Sequence, residues 1–118
     1  MSRTIAVLIV GIAFFGCAMQ TTREMNPREN AAYQLTIEGR QLLNDGKPDN
    51  AIRLFERAIG LNPNDGECYY YLAEAWRTKG DKPEAREFNS LAMDYLKEDA
   101  DWHERITQQR YLIESLPD

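Results

Sequence analysis

Residues 32–65 read AYQLTIEGRQLLNDGKPDNAIRLFERAIGLNPND, and residues 66–99 read GECYYYLAEAWRTKGDKPEAREFNSLAMDYLKED. Set one above the other, the two segments are a repeat of 34 residues. Leu35 falls on Tyr69, Gly39 on Ala73, and Leu42 on Trp76. Gly46 falls on Gly80, Ala51 on Ala85, Ala58 on Ala92, Ile59 on Met93, and Leu61 on Tyr95. Small residues match small ones, and large apolar residues match large ones. That pattern marks a unit that cannot bury its apolar face alone and stacks on its neighbour.

Each matched position has a physical reason to exist in a pair of packed helices, A and B. Gly39 and Ala73 are small where helix A crosses helix B, and Ala51 and Ala85 are small at the same crossing. Ala58 and Ala92 let helix B meet the next helix A. Leu35, Leu42, Phe55, Tyr69, Leu72 and Trp76 fill the space between. Gly46 and Gly80 suit a left-handed residue ending helix A. Pro48 sits in the first turn of helix B, where a missing N–H costs nothing. Asp81 with Glu84 three later reads as a capping box. Pro63 and the turn residues Asn64, Asp65 and Gly66 end the first unit.

This arrangement of small and large positions resembles the tetratricopeptide repeat (TPR) family, a helix–turn–helix unit. The resemblance spans residues 32–99. It implies an all-α fold of two repeats, 32–65 and 66–99, within a helical domain over 31–116. Three positions depart from the family pattern. Glu38 stands where leucine is usual. Asn89 stands where an aromatic is usual, with Phe88 beside it to fill some of the gap. Lys97 stands where the repeat-ending proline is usual, so the second helix B is expected to run past it. Residues 100–116 form a further amphipathic helix, with Trp102, Ile106, Gln109, Ile113 and Leu116 at helical spacing and Leu112 beside them. Asp101 and Glu104 read as its capping box, and Pro117 stops it. Its place fits the capping helix that covers the last apolar face of a repeat array.

The amino-terminal residues differ from the rest. Arg3 supplies a positive charge, and Ile5–Phe15 is an apolar run interrupted only by Gly11. Gly16, Cys17 and Ala18 follow, which is the layout of a secretory signal peptide over residues 1–16. The uncharged stretch from Ile5 to Met19 is shorter than the ~20 residues a bilayer-spanning helix needs. Its end, Phe14-Phe15-Gly16-Cys17, resembles the bacterial lipobox. Gly16 and Cys17 match that motif, whereas Phe14 and Phe15 depart from it. The resemblance implies a diacylglyceryl group on the Cys17 thiol, cleavage before it, and acylation of the new amino group. Ala18 after the cysteine resembles the pattern of lipoproteins sent to the outer membrane, so the expected location is the bacterial cell envelope. Residues 17–30 are then the lipidated terminus and a polar, flexible tether. A secreted, non-lipidated protein is the alternative.

Composition narrows the function. The formal net charge is −5, which disfavours phosphate-driven nucleic-acid binding. There are two cysteines and one histidine. With Cys17 lipidated, Cys68 has no disulfide partner and reads as a structural thiol. His103 reads as an exposed helix residue. There is no Gly-rich phosphate loop and no nucleophile with a plausible base, so neither an enzyme, nor a cofactor, nor a metal is expected. In the TPR family the A helices line a concave, partner-binding face. Carried over by position, the face comprises Tyr33, Thr36, Arg40, Leu43 and Asn44, then Glu67, Tyr70, Glu74, Arg77 and Thr78. Of the three consecutive tyrosines, Tyr70 is the one expected to face it. The family's carboxylate clamp is not expected, because Thr36, Arg40, Tyr71 and Asp101 replace its residues. The reading is a tethered adaptor binding a protein or peptide in the envelope, similar to secretin pilotins or scaffolds of cell-wall enzymes. A self-assembling envelope lipoprotein is the alternative, since two repeats and a cap bury a small core.

Overall fold

The computed structural model describes residues 23–118. The signal peptide expected over residues 1–16 and the lipidation expected at Cys17 lie outside the described residues. Five helices follow in order: α1 (Pro27–Asn44), α2 (Pro48–Leu61), α3 (Gly66–Thr78), α4 (Lys82–Leu96) and α5 (Ala100–Glu114). Helix α1 pairs with α2, α3 with α4, and α5 closes the array against α3 and α4. The all-α architecture of two helix pairs and a last helix is the one read from the sequence.

Local chemistry sets the helix boundaries. Asn26 accepts from the Glu29 N–H at 2.9 Å while the Glu29 carboxylate accepts from the Asn26 N–H at 3.2 Å. This reciprocal box starts α1 at Pro27, so the tether expected to reach residue 30 ends at Asn26. Asp65 and Asp99, one repeat apart, cap α3 and α5. The cap of α5 is therefore Asp99, which accepts from the N–H groups of Asp101 and Trp102, and not the expected Asp101–Glu104 pair. Asp81 accepts from the Glu84 N–H at 3.1 Å, the forward half of the expected box. Helix α4 ends at Leu96, with Lys97 as its C-cap, so the expected extension past Lys97 does not occur.

The A helices end in matching Schellman motifs. Gly46 and Gly80 take φ of +76° and +78°, which only glycine adopts at little cost. The Gly46 and Lys47 N–H groups donate to the carbonyls of Leu43 and Leu42. Those of Gly80 and Asp81 donate to Arg77 and Trp76, one repeat on. The sequence pairing of Leu42 with Trp76 and Gly46 with Gly80 thus reports one turn used twice.

Packing follows the small positions. A Cβ on Gly39 would lie 2.5 Å from Phe55 Cε1, so α1 and α2 cross with the Phe55 ring against bare backbone. Gly66 does the same where α4 ends on the start of α3, since a Cβ there would lie 2.5 Å from Leu96 Cγ. Phe55, Leu72, Ala51, Ala58, Cys68 and Ala75 form one buried cluster with Ala32 and Ile52. A second cluster of Tyr69, Ala92 and Ile106 joins the second repeat to α5. Tyr69 stacks between Phe88 and Tyr95 and donates its hydroxyl to the Pro63 carbonyl at 2.8 Å.

Two glycine substitutions should therefore move stability in opposite directions. Gly39→Ala drives a methyl into the Phe55 ring and should cost ~1–3 kcal/mol, outweighing its helix-propensity gain. Gly60→Ala, whose added Cβ meets nothing within 4 Å, should stabilise the fold by up to ~1 kcal/mol. Urea unfolding of both variants measures the pair.

Candidate functional site

The A-type helices α1, α3 and α5 line one continuous groove. At its amino-terminal end is a cleft of about 310 Å³ lined by Arg23, Met25, Glu29, Tyr33, Thr36, Ile37 and Arg40 of the first helix and its lead-in, and by Asn62, Asp65 and Glu67. Next to it lies a smaller pocket of about 220 Å³ lined by Arg40, Leu43, Asn44, Tyr70, Tyr71, Glu74 and Arg105. Arg40 belongs to both. Eight of the ten residues placed on this face from the sequence are thus brought together: Tyr33, Thr36, Arg40, Leu43, Asn44, Glu67, Tyr70 and Glu74.

The remaining positions behave differently. Arg77 is turned back onto Glu74, donating from Nε and Nη2 at 3.0 and 2.9 Å. Thr78 is exposed and donates its hydroxyl to the Glu74 carbonyl at 2.9 Å. Neither lines the groove clefts. Thr36 reaches the cleft wall but is only 6% exposed, and its hydroxyl donates to the Ala32 carbonyl at 3.0 Å. It shapes the wall and offers little to a ligand.

An aromatic cluster forms the groove floor. Tyr70 meets Tyr71 and Trp102 edge to face, each at a centroid separation of 5.2 Å. Two guanidiniums lie over it. Arg40 Cζ is 4.4 Å from the Tyr71 centroid, and Arg105 Cζ is 4.1 Å from Trp102 and 5.3 Å from Tyr70. Such cation–π contacts fix an arginine's position without neutralising its charge. Tyr71, Trp102 and Arg105 were not among the residues placed on this face by sequence. For Tyr71 and Arg105 the signal is the repeat frame itself, since Ile37, Tyr71 and Arg105 are spaced by one repeat each. Helix α5 begins in that frame and contributes a third groove wall, beyond its role as a cap.

Buried polar contacts hold α5 in place. Asn89 and Gln109 are each 2% exposed. Asn89 donates to the Ile106 carbonyl at 2.9 Å and to Gln109 Oε1 at 3.0 Å. Gln109 donates onward to the Tyr70 carbonyl at 2.9 Å and to Glu74 Oε1 at 3.0 Å. Arg110 Nε donates to Asn89 Oδ1 at 2.7 Å. Asn89 is therefore the anchor of a polar seam and not a gap for Phe88 to fill; Phe88 packs separately on Tyr69.

Cys68 is fully buried, donates its Sγ–H to the Phe55 carbonyl at 3.5 Å, and has its pKa pushed up to about 12, chiefly by burial. It is an inert structural thiol. His103 is exposed.

A family model described as "Tetratricopeptide repeat" matches residues 38–100, more than half of the chain. The chain belongs to the tetratricopeptide repeat family. TPR repeats generally mediate protein–protein interaction and serve as non-enzymatic scaffolds and adaptors. No curated protein matches the chain. The match begins inside α1 and stops at the first residue of α5, so the TPR domain extends one helix beyond it.

One groove carboxyl is set against the fold. Desolvation, and next the nearby Asp65, push the Glu67 pKa above its usual range, against the pull of Arg40 and Arg105. A carboxyl raised in the folded state favours folding when protonated, and this contribution is lost as pH rises through its folded pKa. Glu67→Gln should therefore raise the melting temperature near neutral pH. The gain should shrink as the pH falls through the range in which Glu67 takes up its proton. Thermal melts of both proteins across that range check the sign.

Proposed function

We propose that this TPR protein is a lipid-anchored adaptor of the bacterial cell envelope that holds a segment of a partner protein in its groove. The observation that carries the binding half is the groove itself. Aromatic, apolar and charged side chains from three helices converge there, and two guanidiniums are held ready over an aromatic floor. The membrane half rests on Arg3, the apolar run Ile5–Phe15 and the Gly16-Cys17 pair. In this reading Cys17 carries the lipid, and the ten residues from Cys17 to Asn26 let the domain stand off the bilayer by at most ~33–36 Å. The location is the outer membrane, facing the periplasm. The partner class is a secretin subunit, as for a pilotin, or a cell-wall enzyme.

A second reading, self-assembly, is favoured by one feature. The outer face of α5 is not the polar surface a capping helix usually presents. Tyr111 is 76% exposed, with Leu112 and Thr107 beside it around an open apolar cleft of about 410 Å³.

Mass spectrometry of the mature protein should find an acylated Cys17 as its first residue; an intact Met1 would refute the lipid anchor. Affinity capture from envelope extract should recover a secretin or a cell-wall enzyme, and the recovery should be lost in Arg40→Gln and Arg105→Gln. Sedimentation across a concentration range decides self-assembly. That reading expects a rise in mass that Tyr111→Glu abolishes, and a monomer at every concentration removes it.

A further inference from the structure

The array is closed at one end and open at the other. Cys68, Leu72 and Ala75 of α3 are fully buried against the first repeat. One repeat on, Trp102, Ile106 and Gln109 of α5 turn toward the second repeat in the same way. One repeat back, α1 carries Gln34, Glu38 and Gln41 at these positions, and all three are exposed. Glu38, in the frame of the buried Leu72 and Ile106, thus helps give the first helix the polar outer face that ends an array.

The opposite end lacks such a face. Arg40 of α1 meets Tyr71 of α3, and Glu74 of α3 meets Gln109 of α5. One repeat further the position is Gln108, which with Thr107, Tyr111 and Leu112 borders the open cleft of about 410 Å³. Tyr111 and Leu112 are 76% and 44% exposed. The surface by which one A helix receives the next is therefore still apolar on α5. The side of α5 that would meet a B helix is not. His103 and Arg110 stand at the positions of Tyr69 and Trp76, and Arg110 is folded across α4 onto Asn89 and Ser90. Helix α5 is thus shaped to receive one further helix of the A type.

Resting on the self-assembly reading above, we infer that this helix is α5 of a second copy, and that the two copies meet about a two-fold axis with their α5 helices antiparallel. Head-to-tail growth would instead set α1 of the next copy on the cleft. That would press Gln34, Glu38 and Gln41 onto Tyr111 and Leu112, and the cleft offers Glu38 no cation. The two-fold contact joins apolar surface to apolar surface. With the axis between Gln108 and Tyr111, Tyr111 of each copy lies on Gln108 of the other, and Leu112 lies on Thr107. Such a contact uses one patch twice and closes at two copies. Four residues of one helix make a small interface beside the ~800 Å² per partner of a standard one, so the dimer is weak and concentration-dependent. It covers none of the residues that line the two groove clefts, so the dimer presents two open grooves.

The test is photo-cross-linking of the full chain in detergent, with p-benzoylphenylalanine placed at Gln108. Irradiation should give a dimer whose two cross-linked peptides both come from α5. The same group placed at Gln41, on the polar face of α1, should give none. Sedimentation of the unmodified chain should rise with concentration from one copy to two and stop there. Tyr111→Glu should lower the association constant at least about tenfold. Its circular dichroism should be unchanged, since Tyr111 is exposed. A cross-link from α5 to α1, or a mass beyond two copies, overturns the two-fold contact and leaves self-assembly standing. A monomer at every concentration, or a cross-link formed in cells only to a different protein, overturns both.

Discussion

The hydrogen bonds of Asn89 and Gln109 decide whether α5 belongs to the domain. Both side chains are buried where water cannot replace a missing partner, so each must find its contacts within the fold. Gln109 meets this need only when α5 lies against α3, with its amide on the Tyr70 carbonyl and Glu74. Asn89 meets it only when α5 lies against α4. Leaving either group unsatisfied would cost about 1–3 kcal/mol, a large share of a small domain's stability. The apolar contacts of Ile106 and Ile113 supply the attraction, and the polar seam supplies the register. Once that register is set, Arg105 and Trp102 arrive beside Tyr70, and the groove gains its third wall.

Close contact without wasted volume also governs the two repeats. Helices cross where one partner has no side chain, at Gly39 against Phe55 and at Gly66 against Leu96. Identical turns at Gly46 and Gly80 reverse the chain at the same point of each unit. Short connections then leave α1, α3 and α5 on one side. A concave face is the geometric result of stacking these units, and its chemistry is set by residues the core does not use.

Charge gives that face its character. The protein is acidic as a whole, and several of its described cations are matched to carboxylates, as with Lys79 to Asp49, Lys82 to Asp118 and Arg86 to Glu114. In the groove, Arg40 and Arg105 are held differently. Arg40 rests over Tyr71 and Arg105 over Trp102, contacts that hold the two side chains in place. Held this way, they lose less side-chain entropy on meeting a partner than mobile cations would.

The sequence by itself determined the repeat frame, the helix count, the left-handed glycines and the close crossing at Gly39. These follow from residue size and backbone freedom at fixed spacing, which are local properties. It also set eight of the ten chosen residues on the groove, because a repeat frame carries the identity of a face. Tertiary structure alone decided the rest. Asn89 looked like a defect in the frame, and only its contact with α5 makes it an anchor. Arg77 and Thr78 stood at groove positions, but the carboxylate and the backbone carbonyl of Glu74 claimed them first. Asn26 and Glu29, read as tether, became the start of α1 once their reciprocal hydrogen bonds could form. Arg105 entered the groove because α5 docks in the frame of a third repeat. In each case the outcome depended on which partner was within hydrogen-bonding reach in three dimensions, and spacing along the chain does not contain that distance.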